Sequence, residues 1–188
     1  LDPSEARGFE PELLINAVSI ANIQEAFEDF LPYLPEACIL SDIASVKTGI
    51  HELYRTLGKR FVSTHPMFGP TFSNIRDLRN ENAILIKESD DEGKAFFRYF
   101  YKGLKLNVYE YTFEEHDRTI AYSLSVPFAA SMVFAASMKK QEAPGTTFRR
   151  HLDIAKGLFS EDDHLLAEIM FNPHTLQQIE VINSSLTY

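Results

Sequence analysis

The sequence predicts an α/β protein in which a mostly parallel sheet, covered by helices on both faces, is followed by an all-helical part. Three observations carry this reading. From about Glu12 to Tyr111, short apolar or β-branched runs alternate with segments whose apolar residues recur at helical spacing. Such alternation is the pattern of parallel sheets whose crossover helices lie on the faces. After Tyr111 the strand-like runs stop, and helix-start patterns open one segment after another. The first part therefore covers residues 1–111 and the second residues 112–188.

The expected strands are Leu13 to Val18, Cys38 to Asp42, Arg60 to Ser63, Ala83 to Lys87 and Leu106 to Glu110. Between them, Ile23 to Leu31, Gly49 to Leu57 and Glu92 to Leu104 carry helical periodicity. Ser89-Asp90-Asp91-Glu92 reads as a capping box, in which side chains reciprocally satisfy free amides at a helix start. Thr112-Phe113-Glu114-Glu115 is another, opening an apolar-rich segment that runs to about Lys139. Pro127 inside it should kink it, since an interior proline loses a backbone bond and crowds the preceding turn. The most apolar region, Ala121 to Met138, is interrupted by serines and reads as a buried helix; no unbroken apolar run reaches the ~20 residues that span a bilayer. Gln141 to Thr147 reads as a loop, Phe148 to Phe159 as a helix, and Ser160-Glu161-Asp162-Asp163 as the cap of the next. Asn172-Pro173 begins a last helix, with Asn as cap and Pro at its first position.

With 188 residues, 45% hydrophobic and 24% charged, the chain has the makings of one sizeable core or two modest ones. A net charge of −9 with scattered Lys and Arg argues against nucleic-acid binding, whose affinity comes from neutralising phosphates. Cys38, the only cysteine, sits in the apolar run Ala37 to Leu40 and reads as a buried thiol. No secretory signal pattern is present, so the expectation is a cytoplasmic protein without a membrane span.

Chemistry is expected just beyond the carboxyl ends of parallel strands. Ser41 to Gly49 leaves the second strand and could present the Ser45 hydroxyl and the Lys47 cation over a cleft, or could simply be a strand-to-helix turn. Ser63 to Thr71 follows the third strand and frames His65 with Pro66, Gly69 and Pro70 in a rigid loop. An imidazole with an unperturbed pKa of ~6.5 accepts a proton near neutrality, which suits His65 to acid-base work. Glu114-Glu115-His116-Asp117 lies in the first turn of the long helix and taken alone reads as a solvated acidic helix start.

Ser45-Val46-Lys47, then His65-Pro66-Met67-Phe68-Gly69-Pro70, then Glu115-His116-Asp117 at the head of a helical part together resemble the prephenate dehydrogenase family. The resemblance runs from about Leu13 to Met170. It implies a Rossmann-like dinucleotide-binding domain, a helical domain that forms a homodimer, and NAD or NADP as cofactor. The implied reaction is oxidative decarboxylation of prephenate to 4-hydroxyphenylpyruvate, a small-molecule substrate of tyrosine biosynthesis. His65 is then the catalytic histidine on the substrate's 4-hydroxyl, and Ser45 orients that hydroxyl near the nicotinamide. Lys47 falls on the motif lysine, Pro66 and Ser45 lie beside the cofactor, and His116 is the second active-site histidine.

Two departures accompany the resemblance. No Gly-x-Gly-x-x-Gly loop occurs, although the family begins with one to cradle the pyrophosphate at a helix N-terminus. The expectation is that this segment precedes Leu1 in a longer protein, and that the chain alone binds dinucleotide poorly. Gly157 stands where many members carry a substrate-binding arginine. His116, Arg149, Arg150 and Lys156 are the candidate substrate-binding substitutes, with Thr146 and Thr147 as neutral donors; Arg149 and Lys156, seven residues apart on one helix face, are favoured over Arg150. Arogenate therefore stays open as substrate. A metal-dependent hydrolase and an inactive dimerisation or regulatory module are the readings from other classes.

Overall fold

A computed structural model describes residues 2–69, 74, 76–160 and 163–187. Pro70 and Thr71 of the histidine stretch, and Glu161 and Asp162 of the capping pattern, lie outside the described residues. The chain divides into two compact units, Leu1–His116 and Asp117–Tyr188. The division falls past the 111/112 boundary expected from the sequence, inside a helix.

In the first unit, a short helix α1 (Ala6–Phe9) precedes strand β1 (Leu13–Asn16). Helix α2 (Ile23–Phe30), strand β2 (Ile39–Asp42), helix α3 (Ile50–Leu57) and strand β3 (Phe61–Pro66) follow. Strand β4 (Asn82–Ile86), helix α4 (Asp91–Gly103), strand β5 (Asn107–Tyr111) and the start of α5 (Phe113–Ile120) complete it. Among the described residues the strands form one sheet in the order β1-β2-β3-β4-β5. β1, β2 and β3 run parallel, with Leu14 opposite Leu40 and Leu40 opposite Phe61, and β4 and β5 are parallel to each other. β3 and β4 are antiparallel, His65 facing Ile84, so the sheet is mixed. The reason is in the connection: a parallel return needs a long crossover, usually a helix, and the described residues between β3 and β4 contain none.

Helices cover both faces. Ile23 and Phe27 of α2 and Ile50 and Tyr54 of α3 pack on Leu40, Ile84 and Ile86. Phe97 and Tyr101 of α4 pack on Ile39, Val62 and Leu85 on the other face. This two-sided cover is why the central strands read as continuous apolar runs instead of alternating ones. Gly93 of α4 is required by the close approach to β3, since a Cβ there would lie 2.7 Å from Val62 Cβ. Cys38 is buried and free, as expected of a structural thiol, and burial raises its pKa.

The caps differ in detail from expectation. Asp90, not Ser89, caps α4, its carboxylate accepting from the amides of Glu92 and Gly93. Ser89 is instead buried and accepts from the Ser63 amide at 3.0 Å. Two adjacent polar side chains competed for the role, and the one nearer the sheet satisfied a strand amide. The Thr112 box forms as expected: Glu115 donates its amide to Thr112 Oγ1 at 3.0 Å, and Thr112 its amide to Glu115 Oε2 at 2.8 Å.

The second unit is helical among its described residues: the end of α5, α6 (Val126–Ser137), α7 (Thr146–Leu158), α8 (Asp163–Met170) and α9 (Thr175–Leu186). A π-helical segment, Ala121–Ser125, joins α5 to α6 immediately before Pro127. The widened turn is how a continuous helix accommodates a residue with no amide hydrogen. Ser125 in that segment is fully buried and donates to the Ile169 carbonyl at 2.9 Å, while Thr175 donates to Ser125 at 2.8 Å. Asn172 starts a turn and not the last helix: its side chain accepts from the His174 amide and donates to the Asp117 carbonyl, so α9 begins at Thr175.

The expectation of a buried helix over Ala121 to Met138 is corrected. Buried positions occur in the π-helical segment, but α6 has none, although it is apolar on every side. Phe134 of α6 packs on Phe148 and His151 of α7, yet Val133 remains 66% exposed. By length and composition alone, Phe113–Ser137 is long and apolar enough to cross a membrane, with 22% of its most apolar window buried.

Candidate functional site

β2 and β3 are parallel neighbours, with Asp42 at the carboxyl end of β2 opposite Ser63, and β3 runs on three residues to Pro66. The loop that leaves β2 turns into α3 at Gly49, whose φ of +82° needs a residue without a side chain. Ser45 is half-buried in this loop. Lys47 does not present its cation over a cleft. It is 1% exposed, and its ammonium donates to the Asp42 carboxylate and, at 2.8 Å, to the Thr64 carbonyl. Asp42, fully buried, also accepts from the Tyr54 hydroxyl at 2.8 Å and the Ala44 amide at 3.0 Å. Burial, with the Asp42 charge next, raises the Tyr54 pKa well above its ordinary value, so that hydroxyl stays a donor.

His65 belongs to β3 itself and not to a loop after it. Its backbone is fixed by the ladder to β4, and the amide of Met67, just past the strand, bonds the Asn82 carbonyl at 2.9 Å. The imidazole is 6% exposed, and its Nδ1 lies 2.9 Å from Nε2 of His116. His116 is fully buried, so the solvated helix start expected around it holds for the exposed Glu114 and Glu115 and fails for the histidine. The helix start that Thr112 caps places His116 one turn in, facing β3. Burial first, then the His116 ring, then the Lys47 charge hold the His65 pKa well below its ordinary value. His65 is therefore a neutral base at physiological pH.

That depression has a consequence for stability. The unfolded chain takes up a proton on His65 near the ordinary histidine value of ~6.5, whereas the folded chain resists it to lower pH. Stability is present in full above the unfolded value and is lost as pH falls from ~6.5 toward the folded value. Urea midpoints between pH 7 and pH 5 should fall more steeply in the parent than in His65→Gln; equal slopes contradict the assignment.

Thr147, Arg149 and Lys156 lie on α7 of the second unit, all exposed, and Gly157 is half-buried beside them. The first unit thus brings together Ser45, Lys47, His65, Pro66 and His116 on neighbouring elements. Asp42 and Tyr54 were not read from the sequence as parts of this site. The signal available was an aspartate at the carboxyl end of a strand five residues before a lysine.

A family model described as "Prephenate dehydrogenase, nucleotide-binding domain" matches residues 5–99. The chain is 25% identical over 177 residues to the "Probable arogenate/prephenate dehydrogenase" of Methanocaldococcus jannaschii, covering 86% of this chain and 39% of that protein. It is 22% identical over 154 residues to the "T-protein" of Enterobacter agglomerans, covering 76% and 40%. The chain thus spans about two-fifths of the length of these curated relatives. Among solved structures, the prephenate dehydrogenase of A. aeolicus, in complex with hydroxyphenyl propionate and NAD+, superposes with a TM-score of 0.80 at 21% identity, over 98% of this chain and 70% of that one. The arogenate dehydrogenase of Synechocystis does so with 0.75 at 20%, over 99% and 72%. At such identities these likenesses show a common fold.

Proposed function

The chain belongs to the family of prephenate dehydrogenase nucleotide-binding domains, and from that premise we propose that its protein is a nicotinamide-dependent dehydrogenase converting prephenate to 4-hydroxyphenylpyruvate in tyrosine biosynthesis. The observation that carries the reading is His65: a buried imidazole at the end of a strand, kept unprotonated, with its inner nitrogen engaged by His116. In this reading the domains divide as residues 1–111, for the cofactor, and 112–188, for the substrate and the dimer, in a cytoplasmic enzyme.

The fit to a dinucleotide is partial. The turn after β1, Ala17 to Asn22, carries no glycine, in keeping with the expectation that the pyrophosphate loop belongs to a segment preceding β1. The nicotinamide end fits better, because the loop after β2 carries half-buried Ser45 and the neighbouring parallel strand β3 ends at half-buried Pro66. Those two residues would line the nicotinamide. Bound there, NAD or NADP supplies the hydride acceptor.

The chain's own part is proton transfer and positioning. For His65 Nε2 to take the proton of the substrate's ring hydroxyl, that nitrogen must carry the lone pair, so Nδ1 must hold the hydrogen and donate it to His116 Nε2. His116, fully buried, therefore sets the tautomer of His65 from behind. Ser45 orients the same hydroxyl. Loss of the ring carboxylate as carbon dioxide is driven by aromatisation and asks no covalent nucleophile of the protein. Arg149 and Lys156, exposed on α7, anchor the side-chain carboxylate with Thr147. Full-length protein assayed with prephenate and arogenate, each with NAD and NADP, should oxidise prephenate. Turnover of neither substrate overturns the reading.

Gly157 leaves arogenate as the second reading: its side chain adds an ammonium group beside the carboxylate and so asks for less net positive charge from the site. The homodimer is supported by α6, a helix with no charged residue that packs Phe134 on α7 and still leaves Val133 exposed, because such a helix gains stability in water from further cover, and small oligomers are most often two-fold. Light scattering should give twice the chain mass at micromolar concentration, and a stable monomer counts against it.

A further inference from the structure

Asp42 and Lys47 are buried charges to which the mechanism above assigns no task. Asp42 is the last residue of β2; Lys47 lies two residues beyond Ser45 in the following loop. Replacing a buried ion pair by neutral groups of similar size is often harmless to stability, so stability alone is a weak account of its presence. Its geometry bears on the site instead. Asp42 holds the Lys47 ammonium with one oxygen and the Tyr54 hydroxyl of α3 with the other. The ammonium also donates to the carbonyl of Thr64, the peptide unit that leads into His65. One side chain thus spans the loop that carries Ser45 and the strand that carries His65.

We propose that Lys47, held by Asp42, is a positioning residue that locks the Ser45 loop to the His65 strand and keeps a fixed positive charge next to the peptide preceding that imidazole. The task rests on the reading of His65 as the base; the effect on the imidazole can be read without it. Ser45 and His65 stand on different elements, and acid-base catalysis loses rate steeply when such groups drift by an ångström. The bridge through the Lys47 ammonium removes that freedom. The groups facing His65 are His116 from α5 and Lys47 from the loop after β2, with Asp42 and Tyr54 beyond Lys47. The Lys47 charge opposes a proton on His65, adding to the effect of burial.

The test follows the His65 imidazole by nitrogen-15 NMR in this chain between pH 4 and 8. The parent is compared with Lys47→Arg and with the charge-balanced double variant Asp42→Asn, Lys47→Met, which removes both members of the pair together. The double variant is expected to fold, by far-UV circular dichroism, with its His65 midpoint raised above the parent's. Lys47→Arg, which keeps the charge, is expected to retain the parent's titration. In the full-length enzyme the acid limb of turnover should move upward in the double variant, with the Michaelis constant little changed. A His65 titration identical to the parent's in the folded double variant overturns the proposal. So does a double variant that cannot fold, because the pair is then structural. An inactive full-length parent sinks the dehydrogenase reading alone and leaves the NMR comparison decisive for Lys47.

Discussion

Replacing His65 with Asn in the full-length enzyme is expected to lower turnover by about 10²–10⁴ with little change in substrate binding. Asn keeps a polar side chain of similar reach at the end of β3, so the ladder to β4 and the burial of its neighbours survive. What it removes is a lone pair able to take a proton near neutrality, and that transfer is made in the transition state only. An interaction made only there appears in turnover and not in the Michaelis constant. The His116 contact sharpens the expectation, since an imidazole fixed at Nδ1 presents Nε2 in one orientation. Turnover within about threefold of the parent would remove His65 from the role, because general-base contributions are seldom below ~10².

Asp42→Asn alone is expected to cost about 3–5 kcal/mol of stability at neutral pH, the loss typical of removing one partner of a buried pair. Neither side chain has any exposed area, so solvent screens nothing. The Lys47 ammonium would stay inside after losing the carboxylate that balances its charge, since a neutral amide cannot replace it. Adding Lys47→Met should restore most of the loss, because the penalty comes from the uncompensated charge and not from missing packing. Guanidinium unfolding of the chain measures both. A single-variant loss under ~1 kcal/mol, the range of exposed pairs, would mean that the site is solvated in solution.

Much of the first unit was legible because it is built from local signals. Leu13, Ile39, Phe61, Ala83 and Val108 all lie in strands read from short apolar runs, although several strand ends moved. The Thr112 box worked because both partners are within three residues and need nothing else. Ser89 failed for the opposite reason. Its hydroxyl had a second partner, the Ser63 amide, 26 residues away in sequence. Periodicity likewise identified the apolar stretch of α6 but could not say what covers it, because an apolar residue carries no address for its partner.

The sequence by itself determined the strand-helix alternation, the change to helices after Tyr111, and the identity of the residues able to carry chemistry. These follow from side-chain period, backbone propensity and residue type, all properties of neighbours along the chain. Only the tertiary structure decided that β4 returns antiparallel to β3, that Lys47 points inward to Asp42 and Thr64, and that His116 meets His65. Each is a contact between separate elements of the fold, or a choice between burial and solvent. His65 and His116 are 51 positions apart, and no local pattern distinguishes a histidine that a folded strand will meet from one left in water. What separates them is desolvation, which exists only once β3 and α5 have closed over the pair and which makes the imidazole of His65 a base.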